Sequence, residues 1–161
     1  MSEAAMIELV QRALDRYRIQ DEVVAVGQFN PRGHVGGMFA GGLAGGNAGD
    51  RLGGSLGGGI GMAAGSLAGQ RAADHASGLP RSMLVAVSAE RVYGLDAPTR
   101  RADPRGLVFD LRREDLQTKV HQRVNVRILE LIDTASGDSV QLEGNRLPMT
   151  HSGDVIKALT G

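Results

Sequence analysis

Residues 82–97 read SMLVAVSAERVYGLDA, and this stretch decides the fold class. Its first half is strongly apolar and rich in β-branched residues, which is typical of a buried strand. Glu90 and Arg91 form a polar turn, and Val92–Leu95 returns as the partner strand. The stretch therefore predicts an antiparallel hairpin.

The segment before the hairpin begins with an amphipathic helix. Ser2 is placed to cap this helix, and Glu3 suits its first turn. Residues 21–29 then predict a strand, and Asn30–Gly33 predicts a turn because proline lacks a backbone donor. Apolar residues recur on one helix face at spacings of three and four, at Met6, Leu9, Val10, Ala13, Leu14 and Tyr17.

The segment after the hairpin predicts a meander of strands and a closing helix. Alternation of apolar residues changes phase near Ile128, which favours a β-bulge there. Ser152 is placed to cap the last helix, with Asp154 in its first turn. The further strands are expected at 107–111, 118–122, 124–131 and 139–143. Helices and strands in this order predict an α+β fold.

This order of elements resembles the bacterial PH-like and GRAM-type domains. The resemblance lies in EVVAVGQF (22–29), the hairpin at 82–97, LVFDLRREDLQ (107–117), VNVRILELIDTASGDSVQLEG (124–144) and DVIKAL (154–159). It implies a partly open antiparallel β-barrel or sheet with N- and C-terminal helices. It also implies a domain that binds membranes, peptides or other copies of itself, without catalytic residues.

A ladder of ten glycines, one at every fourth position, interrupts this domain. We call it the glycine ladder, and its members are Gly33, Gly37, Gly41, Gly45, Gly49, Gly53, Gly57, Gly61, Gly65 and Gly69. Each glycine costs a helix up to about 1 kcal/mol relative to alanine. Glycines at this spacing leave a groove without side chains, in which a second helix can approach closely. The ladder therefore predicts a helix-packing device, and it resembles the glycine-zipper families.

Asn47–Arg51 interrupts the apolar pattern of the ladder, so a helical hairpin with arms near 34–48 and 52–70 is expected. This gives three regions: 1–32 as N-terminal helix and first strand, 33–79 as the inserted hairpin, and 80–161 as the remainder of the domain. Asp50 and Arg51 disfavour one continuous membrane span, since each central charge costs about 2.5 to 3.5 kcal/mol. Three alternatives stay open for the insertion: embedding in a membrane, a soluble oligomer or internal hairpin, and a disordered linker.

Composition excludes several function classes. Eighteen basic and eighteen acidic residues balance, and only five residues are aromatic, so nucleic-acid binding through bulk charge or base stacking is not expected. The chain has no cysteine, which excludes disulfides and thiolate chemistry. The four histidines lack metal-ligand spacing, and no Gly-Lys-Ser or Gly-Lys-Thr ends the glycine-rich run. We therefore expect no enzyme activity, no metal and no cofactor.

A basic loop offers the one candidate binding site outside the ladder. Arg100, Arg101 and Arg105 lie within an 11-residue polar segment that contains two prolines, 96–106. Arginines in such a loop suit anionic lipid headgroups or an acidic partner. A solvated loop without function is the alternative interpretation.

The sequence as a whole predicts a non-enzymatic PH-like binding or scaffold protein that self-associates through the ladder. Its start carries acids and no apolar signal region, so a cytoplasmic chain is expected, associated with the membrane in the first interpretation. The alternative is a soluble adaptor for a protein partner, in which the glycine-rich hairpin serves only packing or oligomerisation.

Overall fold

A computed structural model describes residues 1–35 and 80–161. These residues form two α-helices, seven β-strands and two single 3-10 turns. The helices are α1 (Glu3–Arg16) and α2 (Ser152–Thr160), and the 3-10 turns are Arg113–Asp115 and Pro148–Thr150. The strands are β1 (Val23–Val35), β2 (Met83–Ser88), β3 (Arg91–Asp96), β4 (Gly106–Arg112), β5 (Leu116–Gln122), β6 (Val126–Asp133) and β7 (Ser139–Asn145).

The seven strands form one open antiparallel sheet in the order β4-β3-β2-β1-β7-β6-β5. The first part of β1 pairs with β2, from Val23 opposite Ser88 to Phe29 opposite Met83. The second part of β1 pairs with β7, from Asn30 opposite Glu143 to Val35 opposite Ser139. The long first strand therefore joins a β1–β4 half to a β5–β7 half, and the α+β prediction is confirmed.

The two helices cover different parts of the sheet. The apolar side of α1 packs with Leu84, Ala86, Tyr93 and Leu95, which forms one buried cluster. A second cluster combines both halves of the sheet with α2, and it contains Phe29, Val85, Phe109, Leu129, Leu142 and Val155. Strand β2 is buried along its whole length, because its alternate side chains enter the two clusters. This explains its unbroken apolar sequence.

The caps of the two helices differ from each other. The backbone N–H of Ala5 donates to Ser2 Oγ over 3.3 Å, so the predicted cap of α1 is confirmed. The predicted cap at Ser152 is wrong, since Ser152 is the first helical residue and His151 precedes it with a left-handed backbone (φ 52°). The Ser152 hydroxyl donates instead to Asn145 O over 2.6 Å. This bond ties the helix to the end of β7.

Two further sequence predictions differ from the structure. The expected turn at Asn30–Gly33 is wrong, because these residues continue β1 and pair with β7. Pro31 is tolerated there because β2 no longer pairs with β1 beyond Phe29, and the register shifts between Pro31 and Gly33. The expected bulge near Ile128 is also wrong, since β6 pairs in continuous register with both neighbours. Residues 128 and 129 are both buried, on opposite faces of β6, so no bulge is needed.

Candidate functional site

The basic loop lies between β3 and β4, and the structure uses its three arginines differently. Arg100 Nη1 donates to Met149 O over 3.0 Å, which joins the loop to the turn before α2. Arg105 lies 3.8 Å from Asp96 Oδ1 in an exposed ion pair. Arg101 is exposed, and its guanidinium has no partner within residues 1–32 and 80–161. The loop is therefore anchored by one arginine and leaves a second one free for a ligand.

The turn between β5 and β6 lies beside the same place. Arg146 Nη1 donates to Val124 O over 3.0 Å, and this bond joins the link after β7 to the β5–β6 turn. The pairing of β6 with β7 places the same two segments side by side, because Val126 lies opposite Asn145. Three segments thus meet at one end of the sheet: 97–105, 123–127 and 145–151. We call them together the rim.

Three large apolar side chains are exposed on the rim. Val124 is 86% exposed, and Leu147 and Met149 are each 52% exposed. In the part of the chain that the structure describes, only two other large apolar side chains are exposed, Val24 and Val120. Three of these five exposed apolar residues therefore lie on segments that are joined by two hydrogen bonds from arginine side chains to backbone carbonyls. Such clustering distinguishes an interaction surface from single exposed apolar residues, which are ordinary.

The rim is also strongly basic. Its three segments contain six arginines and one aspartate, whereas the whole chain is neutral. Arg123 is exposed and, like Arg101, its guanidinium has no partner in the described residues. Arg100 and Arg146 each use one nitrogen for a carbonyl and keep further N–H donors. The surface therefore combines apolar contact area with donors suited to anionic oxygen atoms.

Sequence reasoning found Arg100, Arg101 and Arg105 but missed the apolar half of the rim. Alternation of apolar residues predicts a strand through Val124, and Leu147 and Met149 belong to no predicted element. The signal was present in two short segments, RVN at 123–125 and RLPM at 146–149. Each places apolar side chains next to an arginine in a turn, where no regular element can bury them.

A polar network lies at the β2–β3 turn. Tyr93 Oη donates to Asp21 Oδ2 over 2.5 Å, and Ser88 Oγ donates to the same oxygen over 3.1 Å. Arg91 Nε lies 2.6 Å from Asp110 Oδ1, and this hydrogen bond raises the pKa of Arg91. Burial, followed by the hydrogen bond to Asp21, raises the pKa of Tyr93 far above its ordinary value. The network holds its hydroxyls protonated and joins the segment before β1 to the hairpin, which is a structural role.

A second polar group involves the starts of both helices. Glu3, His151 and Asp154 place one ligand atom each within 4.8 Å of the others, and His151 Nδ1 lies 3.0 Å from Asp154 Oδ2. These are metal-ligating residue types. However, the positive end of α2 and the Arg127 guanidinium beside Gly153 lie at the same point and oppose a bound cation. The hydrogen bond within the group joins His151 to Asp154, so we interpret the group as part of the start of α2, with Glu3 of α1 beside it.

The other sequence-based candidates are separated from the rim or lie outside the description. His121 Nε2 lies 3.8 Å from Glu130 Oε2 on an exposed part of the sheet. Gly33 belongs to β1, opposite Gln141, so this first ladder position lies in a strand and not in a packing helix. The other nine glycines of the ladder, and the helical hairpin expected for them, lie outside the described residues.

Comparison of the chain with family models, with curated proteins and with solved structures gave no match. Neither of the two helices in the described residues has the length and apolar character needed to cross a bilayer.

Proposed function

We propose that this chain is a non-enzymatic PH-like binding or scaffold protein that self-associates through the glycine ladder at the cytoplasmic membrane. Support for the PH-like assignment comes from the order of the strands. A meander of four strands and a meander of three share the long strand β1, and the C-terminal helix packs on the core between them. An open antiparallel sheet with an N-terminal and a C-terminal helix is compatible with the resemblance.

The length of the chain between β1 and β2 supports a separate role for the ladder. β1 and β2 are hydrogen-bonded antiparallel neighbours, although residues 36–82 lie between them in the chain. The connection only has to lead from Val35 back to Met83, and residues 36–82 are longer than this requires. The extra length supports a separate role for the segment that carries the ladder.

The chemistry of the ladder favours helix association as that contact. Glycines in register let two backbones approach closely, and the gain is largest where lipid surrounds the helices. Met38, Phe39, Leu43, Ile60 and Leu67 supply apolar area at intervals along the segment. Asp50 and Arg51 fall near its middle, so two short arms suit the pattern better than one span.

Substitution of ladder glycines in the full chain tests this function. We expect Gly41, Gly45, Gly57 and Gly61→Leu together to abolish self-association, measured by gel filtration with light scattering, with and without detergent. Flotation with vesicles measures the membrane association of the same variant. Circular dichroism should show an unchanged β-sheet signal, since none of the four substituted glycines belongs to the paired residues of β1 and β2.

The segment also supplies a matched control. Gly42, Gly46, Gly54 and Gly58 each follow a ladder glycine by one residue, so on a helix they lie about 100° away from the ladder. Leucine at these four positions changes composition equally but leaves the groove open. If both variants behave like the unmodified chain, the ladder has no role in assembly and the proposal fails.

A soluble adaptor is the second candidate, and the edge strand β5 favours it. β5 is the last strand of the sheet, and its side chains at Lys119, Val120, His121 and Gln122 are exposed. An extended peptide can add to such an edge through main-chain hydrogen bonds. A monomer by light scattering that remains entirely in the soluble fraction would favour this candidate over the first.

A further inference from the structure

We propose that the rim is the surface by which the described domain docks on an anionic lipid bilayer, with Val124, Leu147 and Met149 entering the headgroup region. This inference rests on the proposed membrane function and names its site and its lipid class. It assigns membrane contact to the folded domain, separately from the glycine ladder.

The exposed apolar side chains of the rim lie on turns whose backbone is fixed by hydrogen bonds. They come from two turns that are not neighbours in the sequence, and the bond from Arg146 to Val124 O holds these turns together. The link after β7 is further fixed by Thr150, whose hydroxyl contacts Asn145 O over 3.0 Å and Leu147 O over 2.9 Å. The apolar residues are therefore held on a preorganised backbone, so little ordering opposes their insertion.

The positive charge of the rim is complementary to the negative charge of an anionic bilayer. Six arginines and one aspartate in the rim suit a surface that carries many negative charges in one plane, as an anionic leaflet does. Arg101 and Arg123 belong to different turns of the rim, and both are exposed. Apolar side chains surrounded by arginines are the pattern expected for an interfacial site, in which the apolar tips enter the headgroup region and guanidinium groups contact phosphate.

The chain enters β2 beside the rim. The backbone N–H of Ala97 donates to Ser82 O over 3.4 Å, and Gln28 Nε2 donates to Ser82 Oγ over 3.0 Å. The residues just before β2 therefore lie against the first residue of the rim. A segment embedded in the bilayer would re-enter the domain on the side that faces the membrane.

Vesicle co-sedimentation of the full chain tests the charge component. Arg101→Gln with Arg123→Gln removes two guanidiniums that hold no other residue of the described structure, so the fold is expected to stay intact. We expect roughly 25-fold weaker binding to vesicles of phosphatidylcholine with phosphatidylserine, at about fivefold for each arginine. Arg112→Gln at the far end of β4, where Arg112 pairs only with Glu114, is the matched control and should bind normally.

The apolar component has its own variants. Leu147→Ser with Met149→Ser should weaken binding to the same vesicles by about tenfold. Val24→Ser is the control, because Val24 is 54% exposed but lies at the start of β1, beside the β2–β3 turn. Because the chain has no cysteine, Leu147→Cys and Val24→Cys each create a unique site for a polarity-sensitive fluorophore. Only the probe at position 147 should shift to the blue when anionic vesicles are added.

Three outcomes would overturn this inference, and they differ in what they mean for the proposed function. If the unmodified chain binds anionic vesicles and the rim variants bind equally well, the rim inference is overturned while membrane association stands. If the unmodified chain binds no vesicles, both are overturned. If the rim variants change the mass measured by light scattering in the absence of lipid, the rim is a contact between protein chains, and the inference is again overturned.

Discussion

The Tyr93 hydroxyl donates a hydrogen bond of 2.5 Å to Asp21 Oδ2 and ties β3 to the segment that leads into β1. Tyr93 is 1% exposed, so its hydroxyl depends on this partner. Tyr93→Phe removes a bond to a charged acceptor and leaves Ser88 as the remaining side-chain donor to that oxygen. We expect a loss of about 1.5 to 3 kcal/mol in the free energy of unfolding, measured by urea denaturation. Tyr17→Phe, in a tyrosine without a side-chain bond in the described residues, should change stability little.

The same contact makes stability fall at alkaline pH. The pKa of Tyr93 in the folded chain is far above its ordinary value of 10.0, chiefly through burial and also through Asp21. Between these two pKa values the unfolded chain loses a proton that the folded chain keeps, so the free energy of unfolding decreases as pH rises. Below pH 10 the contribution is fully present. Urea titrations across this range should show a decline that is smaller in Tyr93→Phe, and an equal decline in both proteins would contradict the assignment.

The local elements of the fold could be predicted from the sequence, and the contacts between them could not. The hairpin at 82–97 and the cap at Ser2 depend on neighbouring residues, and both are found. The strand through Pro31 depends on β7, whose residues lie more than a hundred positions later. A local rule that assigns a turn to Asn-Pro therefore gave the wrong result, because an unpaired strand edge tolerates proline.

The candidate site shows the same division. The basic loop is visible as a cluster of arginines in the sequence, but its apolar complement lies in two other segments. Only the bonds from Arg100 to Met149 O and from Arg146 to Val124 O bring these segments together. The role of Ser152 also depends on contacts between elements. Its residue type suits a helix cap, but its side chain is 2% exposed and its hydroxyl donates to Asn145 O of β7.

Gly94 is required by the ring of Phe109 on the neighbouring strand. The two residues pair across β3 and β4, and a Cβ at position 94 would overlap the ring. Because Phe109 is fully buried, its ring has little room to move. We expect Gly94→Val to cost about 1 to 3 kcal/mol in thermal or urea unfolding. Gly106→Val, where a Cβ meets nothing within 4 Å, is the control and should stay within about 0.5 kcal/mol.

Arg113 connects the β2–β3 turn to the end of α2. Its Nη1 donates to Ser88 O over 3.0 Å, and its Nη2 donates to Ala158 O over 2.9 Å. Arg113→Met keeps the aliphatic stem but leaves both carbonyls without this donor, so we expect a loss of about 1 to 3 kcal/mol. Hydrogen exchange should become faster in α2 and in the β2–β3 turn. Arg112→Met, which removes only an exposed ion pair with Glu114, should leave both unchanged.

Gly27 on β1 lies against the start of α2 and Gly153 lies within that helix, and alanine should act in opposite directions at the two positions. A Cβ on Gly27 would lie 2.7 Å from His151 O and 2.9 Å from Ser152 Cα, which are backbone atoms that cannot move without displacing α2. Gly27→Ala should therefore cost about 1 to 3 kcal/mol. A Cβ on Gly153 meets only Arg127 Nη1 at 3.0 Å, the far end of a flexible side chain.

Gly153→Ala should therefore stabilise the chain by about 0.4 to 1 kcal/mol, because alanine loses less backbone entropy in a helix. Thermal unfolding of the two single variants and of the double variant measures the signs and their independence. The seating of α2 on β1 predicts a lower midpoint for Gly27→Ala and a higher one for Gly153→Ala. A stabilising Gly27→Ala would mean that the start of α2 does not lie against β1 as described, since no other effect of alanine at a strand position compensates for an overlap with backbone.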